Sequence, residues 1–552
     1  MKITKLSKWD FWAYVTVGII ITFMVILAYP TFSLFVSGFK DPSSGLFSLT
    51  NFIKFFTKKY YYEGLIHSFL VSISVTLLSV IIGVPIGYFM TAFKIRGKRF
   101  LDILITISML SPPFIGAYSW VLLLGRNGIV TNFFKNTVGI ETPTIYGFIG
   151  ILLVFTFKLF PYIYIYVSGA LKSIDVSLSE AAESLGSGHW RTVLNIIMPL
   201  ILPTILAGAL LVFMNSITDF GTPMLIGEGY RVMPVLIYSE FVGEVGGSAN
   251  FAAAMALIMV VITAVLFMMQ KYIVNRKSYV MSSLHPMRPK PITGIKSFMV
   301  HAFIYIVVAI AIIPQLTVIY TSFLNTKGQV FQKGFSLRSY ITIFDELGLA
   351  IKNTYEFGAT AIVIIIILSM FIAYLSVRKR SALTGLIDTI AMLPYVLPGS
   401  VLGIALLLAF NHEPLILSGT GTIIVMSLII RRLPYTLRSS SAILYQISPS
   451  LEEASISLGY SPAKTFFKIT ARLMMPGVIS GAILSWITAI TELSSSVILY
   501  TGLTKTMSVA IYTEVIRASY GTAAALSTIL TITIVISLLI FLKISGDKEI
   551  KI

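Results

Sequence analysis

The chain has 552 residues, of which 56% are apolar and only 12% charged, and its mean hydropathy is +0.89. A soluble domain carries about 25% charged residues, so most of this surface is not made for water. The net charge of +18 does not mark a nucleic-acid binder, because the basic residues fall in short loops and no soluble basic domain with interleaved aromatics is present. The absence of cysteine excludes disulfides, thiolate metal sites and cysteine nucleophiles.

Lys2, Lys5 and Lys8 precede an apolar run from Phe11 to about Phe39. That run is too long for a signal-peptide core and no small-residue cleavage site closes it, so it reads as an uncleaved first span that starts in the cytoplasm. Apolar runs fall near 11–37, 64–92, 101–125, 145–170, 200–225 and 250–272, then near 297–322, 350–377, 386–410, 420–440, 474–500 and 521–543. Runs of this length cross a hydrocarbon layer of roughly 30 Å as helices. They are too continuous for barrel strands. Lys94, Arg96, Lys98 and Arg99 follow the second span. Lys271, Arg276, Lys277, Arg288 and Lys290 follow the sixth, and Arg378, Lys379 and Arg380 the eighth. With the N-terminus inside, all of these loops lie inside, which is the orientation that basic loops favour. Both termini are then cytoplasmic, in a multi-pass protein of a bacterial inner membrane.

The two sets of spans repeat one another in detail. Tyr88, Asp102 and Pro112 match Tyr374, Asp388 and Pro398, each 286 positions later. Pro161, Tyr162, Glu180, Gly186, Pro203 and Gly208 match Pro434, Tyr435, Glu453, Gly459, Pro476 and Gly481, each 273 later. Tyr238 and Glu240 match Tyr512 and Glu514 at 274. Chance apolar similarity does not hold register through prolines, glycines and acids. The predicted fold is therefore an all-α membrane protein of about twelve transmembrane helices in two parallel six-helix repeats. Residues 1–272 form the first repeat, 273–296 a cytoplasmic linker and 297–552 the second. Parallel repeats imply a twofold-like axis along the membrane normal with a pathway at their interface.

Between spans four and five lies Glu180-Ala181-Ala182-Glu183-Ser184-Leu185-Gly186, followed by Ile196-Ile197-Met198-Pro199. The second half has Glu453-Ala454-Ser455-Ile456-Ser457-Leu458-Gly459. Each reads as a short helix. Ser177 with Glu180, and Ser450 with Glu453, have the spacing of a capping box. Gly186 and Gly459 suit the left-handed residue that stops a helix, and Ser461-Pro462 reads as the cap and first residue of the next one.

These residues resemble the E-A-A…G…I-x-L-P signature of ABC importer permeases of the methionine, maltose and ferric-iron kind. The resemblance covers both halves and implies the fold of the methionine-importer permeases. It also implies that Glu180, Ala181, Ala182 and Gly186, with Glu453, Ala454, Ser455 and Gly459, form two coupling helices. In that family each such helix fits a groove on an ATP-binding subunit. The second copy departs from the signature: Ser455 replaces the second alanine, and Ala471-Arg472 replaces Leu-Pro. Asp219-Phe220-Gly221-Thr222-Pro223, Glu492 to Ser496, and Arg431-Arg432-Leu433-Pro434-Tyr435 look like the fused ferric-iron and 2-aminoethylphosphonate branch. The resemblance thus implies ferric iron uptake, with 2-aminoethylphosphonate, thiamine, a polyamine or sulfate as alternative cargoes. It further implies two copies of an ATP-binding cassette subunit, which would carry the ATP and Mg²⁺, and an extracytoplasmic substrate-binding protein. No cofactor is expected on this chain, and no G-x-x-x-x-G-K-[ST] loop occurs in it.

Asp219 and Glu492 lie sixteen residues beyond Pro203 and Pro476, roughly 24 Å along a helix toward the outer face. They either face a water-filled path as a cation contact or gate, or cap helix ends at the surface. Lys158, Arg431 and Arg432 lie within spans four and ten. They either pair with carboxylates, attract an anionic substrate or chelate, or snorkel to the interface. His67, His189, His285, His301 and His412 have no ligand spacing, and no metal site is assigned. An ion-coupled secondary transporter also uses repeats but gives no reason for twin E-A-A helices. A membrane enzyme lacks any catalytic residue set.

Overall fold

The computed structural model describes residues 10–42, 44–140, 144–243, 247–276, 289–327, 330–395 and 397–545. The centre of the expected linker, His285, the basic residues Lys277 and Arg288, and the three N-terminal lysines lie outside the described residues. Almost everything described is helical, apart from one antiparallel hairpin of Leu324–Lys327 with Val330–Phe335.

Among the described residues, nine helices are long and apolar enough to cross a membrane. The other three expected spans are present in altered form. The third is two helices, Lys98–Leu110 and Pro113–Leu124, broken at Ser111-Pro112. The ninth is Ala382–Met392 and Gly399–Ala409, separated by a 3-10 turn and Pro398. Proline removes a backbone donor and turns the preceding residue away from helical geometry, which accounts for both breaks. The tenth is one helix, Gly421–Gln446, as long as a span but carrying three arginines, Arg431, Arg432 and Arg438. Pro161 and Pro434 sit inside the continuous helices Phe148–Ser173 and Gly421–Gln446.

The chain forms two compact units. Among the described residues the N-half unit comprises 49–345 and Ile511–Ile532. Its centre is the packing of Lys59–Ala92 on Phe148–Ser173. A side chain at Gly83 would place Cβ 2.6 Å from Cβ of Ile163, and one at Gly87 would place it 2.7 Å from Cγ1 of Val167. These two glycines, one helical turn apart, let the backbones approach closely. In lipid, where burial of apolar surface drives little association, such close packing holds helices together. Val71, Val75, Phe155 and Val212 complete this core. The helix Gly294–Ser322 also packs here, with Ile304 and Val308 against Ile86, Met90 and Phe160.

Among the described residues the C-half unit comprises 10–48, Glu346–Ala510 and 533–545. Gly348–Arg378 packs on Gly421–Gln446. Ser369 and Ala373, 286 positions after Gly83 and Gly87, are fully buried and play the same spacing role. The first helical span contributes Trp12, Ile19, Phe23 and Leu27 to this core, beside Ile365, Ile372 and Phe466. Packing units and sequence repeats therefore divide the chain differently. The first span of each repeat is counted with the other half's helices. In lipid a lone span gains nothing from staying beside its covalent neighbours, so it settles where its face fits.

Candidate functional site

Each half holds a short, exposed helix between two membrane helices. The first is Ser177–Ser184 and the second Ser450–Ser457. Their N-terminal caps are not the ones expected from sequence. Ser177 and Ser450 are the first residues of the helices, the cap positions fall on Val176 and Pro449, and the residue one place before the cap takes the first amide. Asp175 Oδ1 accepts from the Ser177 N–H at 2.9 Å, and Ser448 Oγ from the Ser450 N–H at 3.3 Å. The capping box expected from Ser-x-x-Glu does not form in either helix, and Asp175 and Ser448 satisfy a different orphan donor, the first helical amide.

The C-terminal stops are as expected. Gly186 has φ +85° and Gly459 φ +91°. In the first helix Ser187 N–H donates to Ala182 O, and Gly186 N–H to Glu183 O, both at 3.0 Å. Tyr460 to Ser455 and Gly459 to Ile456 repeat the pair at 3.2 and 2.9 Å. This double bond pattern around a left-handed residue ends a helix sharply. It throws the preceding leucine outward: Leu185 is 89% and Leu458 82% exposed. Glu180, Ala181, Glu453 and Ala454 are exposed beside them. Ser455 differs, being buried and hydrogen-bonded to Thr465 at 2.9 Å. Ser461 caps the next helix through the Lys464 N–H, as expected. That following stretch contains a five-residue π-helical segment in both halves, Val193–Ile197 and Phe466–Thr470.

The second feature is a buried ion pair built the same way in each unit. In the N-half unit the helix Met198–Thr218 ends, and Asp219 sits in extended backbone before the short helix Gly221–Ile226. Asp219 Oδ2 accepts from Lys158 Nζ at 3.2 Å, and Oδ1 from the Thr222 N–H at 3.0 Å. In the C-half unit the helix Ala471–Ile490 ends just before Glu492. Glu492 binds Arg431 through one carboxylate oxygen and Arg432 through the other. It also accepts from the Ser495 N–H at 3.1 Å. Lys158 pairs with Asp219, and Arg431 with Glu492, across the same separation of 61 residues. Of the readings open for Lys158, Arg431 and Arg432, pairing with carboxylates is observed. Non-helical backbone at such a depth is tolerated where protein or a water-filled cavity satisfies it. Here the carboxylate itself takes a freed amide. Beside Lys158 lies an open recess of about 310 Å³ with Ser108, Ser111, Trp120, Phe157 and Gln315 on its walls.

Several contributors were not found from sequence. Thr222 and Ser495 supply amides to the carboxylates, and Tyr374, Arg378 and Glu452 surround the second short helix. Glu452 and its partners left a trace, since the 273 offset sets Glu452 opposite Ser179 and so marks an acid gained or lost in one copy. Among the described residues no group of three metal-ligating side chains occurs. His67 stacks on Tyr230, and its ring nitrogen lies 3.0 Å from the Arg231 carbonyl.

The model of the binding-protein-dependent transport system inner membrane component family matches residues 83–279 and again 365–548. The chain is 29% identical over 567 aligned residues to the ferric transport system permease protein FbpB of Actinobacillus pleuropneumoniae, covering all of this chain and 80% of that one. It is 24% identical to the Fe(3+)-transport system permease protein FbpB 2 of Haemophilus influenzae, over 84% of this chain and 86% of that one. The molybdenum transport system permease protein ModB of Escherichia coli is 28% identical over 37% of this chain and 91% of its own length. Both family matches begin after the first span of a half, the span that packs in the other half's unit.

Proposed function

Because the chain belongs to the family of binding-protein-dependent transport system inner membrane components, we propose that it forms the whole translocation pathway of an ABC importer for ferric iron. As a member it is an ABC-type permease, a transport subunit and a multi-pass inner-membrane protein. In our reading, two ATP-binding cassette subunits bind the two short helices, hydrolyse ATP with Mg²⁺, and drive the pore. An extracytoplasmic binding protein delivers the cargo, both termini are cytoplasmic, and the exposed apolar faces meet lipid. The observation that carries this reading is the duplicated short helix. Each copy stops at a left-handed glycine and presents an exposed leucine at the same place.

Ferric iron is supported by relatives that match along most of the chain and are named for it. A second reading, an anionic cargo such as 2-aminoethylphosphonate, is favoured by the surplus positive charge where Arg431 and Arg432 share Glu492. Arg432 Nε is moreover buried without a hydrogen-bond partner. The test is uptake by proteoliposomes holding this chain with the ATPase and binding protein encoded beside it. ATP-dependent accumulation of labelled ferric iron supports the first reading. Accumulation of 2-aminoethylphosphonate without iron supports the second. Uptake that persists without any ATPase would overturn both in favour of an ion-coupled carrier.

A further inference from the structure

The second short helix is held by side chains that the first half does not possess. Glu452, buried on its inner face, accepts from Tyr374 Oη at 2.9 Å through one oxygen and from Arg378 Nε at 3.0 Å through the other. Arg378 also donates from Nη2 to the carbonyls of Leu444 and Ile447 at 3.2 and 2.6 Å. These carbonyls close the C-terminal end of Gly421–Gln446, where a cation complements the helix dipole. One guanidinium thus joins the end of Gly348–Arg378, the end of Gly421–Gln446 and the short helix between them. Trp12 stacks on Tyr374 with ring centroids 4.2 Å apart and backs the lock from the first span. Ser455 adds a second tie, to Thr465.

The offsets of 286 and 273 carry these positions into the first half. Arg378 corresponds to Ala92, Glu452 to Ser179 and Ser455 to Ala182. None of the three can make the bond its counterpart makes. Tyr374 corresponds to Tyr88, which meets Glu183 electrostatically, further along the helix. The first short helix buries none of its residues, whereas the second buries Glu452 and Ser455.

We propose that Glu452 is a positioning residue that locks the second coupling helix to the membrane helices on either side, so that the two helices pass ATPase motion into the membrane unequally. The first lacks this Arg–Glu lock, and the departure of Ser455 from the repeated alanine belongs to the same device. The consequence for coupling rests on our reading of these helices as ATPase docking sites, while the lock itself does not.

Because the chain has no cysteine, a single spin label can be placed at Leu185→Cys or Leu458→Cys in the whole protein, reconstituted in nanodiscs. Glu452→Gln should raise the mobility of the label at 458 and leave the label at 185 unchanged. Tyr374→Phe, which removes one hydroxyl and keeps the ring stack, should do the same more weakly. With ATPase and binding protein added, labelled ferric iron carried per ATP hydrolysed should fall about fivefold or more in Glu452→Gln, with the ATPase still co-purifying. Unchanged spectra at 458, or equal changes at both labels, would overturn the lock. A loosened spectrum at 458 with full coupling in Glu452→Gln would overturn the lever role. If the wild-type chain fails to retain the ATPase while the labels behave as expected, the docking reading falls and the lock stands.

Discussion

Lys158–Asp219 and Arg431–Arg432–Glu492 are one backbone solution carrying two charge ratios. In both, a membrane helix breaks, a carboxylate takes the amide three residues on, and a cation reaches it from a neighbouring helix. The first site is balanced, one amine to one carboxylate, whereas the second holds two guanidiniums on one carboxylate. The difference teaches that the repeat preserves the acceptor geometry while leaving the donor chemistry free to diverge. A lysine amine can lose its proton when its partner is removed, but a guanidinium cannot. The second site is therefore the more brittle of the two.

That contrast can be broken or sharpened by substitution. Glu492→Gln strands two buried guanidiniums, and removing one partner of a buried pair costs about 3–5 kcal/mol. We expect little folded protein on size-exclusion chromatography of detergent extracts. Asp219→Asn keeps an acceptor for the Thr222 amide and leaves an amine that can neutralise, so it should cost about 1–3 kcal/mol and remain purifiable with a lowered Tm. Equal losses in the two variants would break the comparison. Lys158→Met combined with Asp219→Asn removes both charges together and should stay within about 1 kcal/mol of the wild type in thermal unfolding. If it also transports normally, the pair is architecture and not pathway. Smallest in stability are Gly186→Ala and Gly459→Ala. Neither position has an atom within 4 Å of an added Cβ, so each variant should lose only the conformational term, about 1 kcal/mol, and by the same amount in both halves. Gly186→Asp or Gly459→Asp, with a charge beside the docking face, should abolish ATP-driven uptake while membrane fractions still contain the protein.

What the sequence revealed divides along the same lines. Gly186 and Gly459 were legible because a left-handed stop is a local requirement that one residue type answers. The helix starts were misplaced by one residue, because Ser-x-x-Glu names Ser177 and Ser450 as caps while the caps fall on Val176 and Pro449. The partner of Asp219 is set by how two helices meet, not by neighbours in the chain. Yet the shared separation of 61 residues in both halves was a usable signal. Asp102 and Asp388 show where even repetition is silent: Tyr164 binds the first, while Arg438 approaches the second at 3.9 Å. Leu437 stands at the position of Tyr164 and Ile165 at that of Arg438, so matching positions do not name the partner. The broken third and ninth spans were hidden because Pro112 and Pro398 lie inside otherwise unbroken apolar runs.

The π-helical turns at Val193–Ile197 and Phe466–Thr470 lie 273 positions apart, at matching places in the two halves. A π turn accommodates one residue more than the α-helix around it, and it rotates every following side chain relative to the helix before it. Had only one half gained that residue, the 273 offset would change by one between Gly186 and Pro203, and it does not. The extra residue therefore stands at the same place in both halves, so the membrane helices that follow, up to Asp219 and Glu492, keep their residues in register. The segment Met24–Ala28 in the first span has no such twin in Gly294–Ser322.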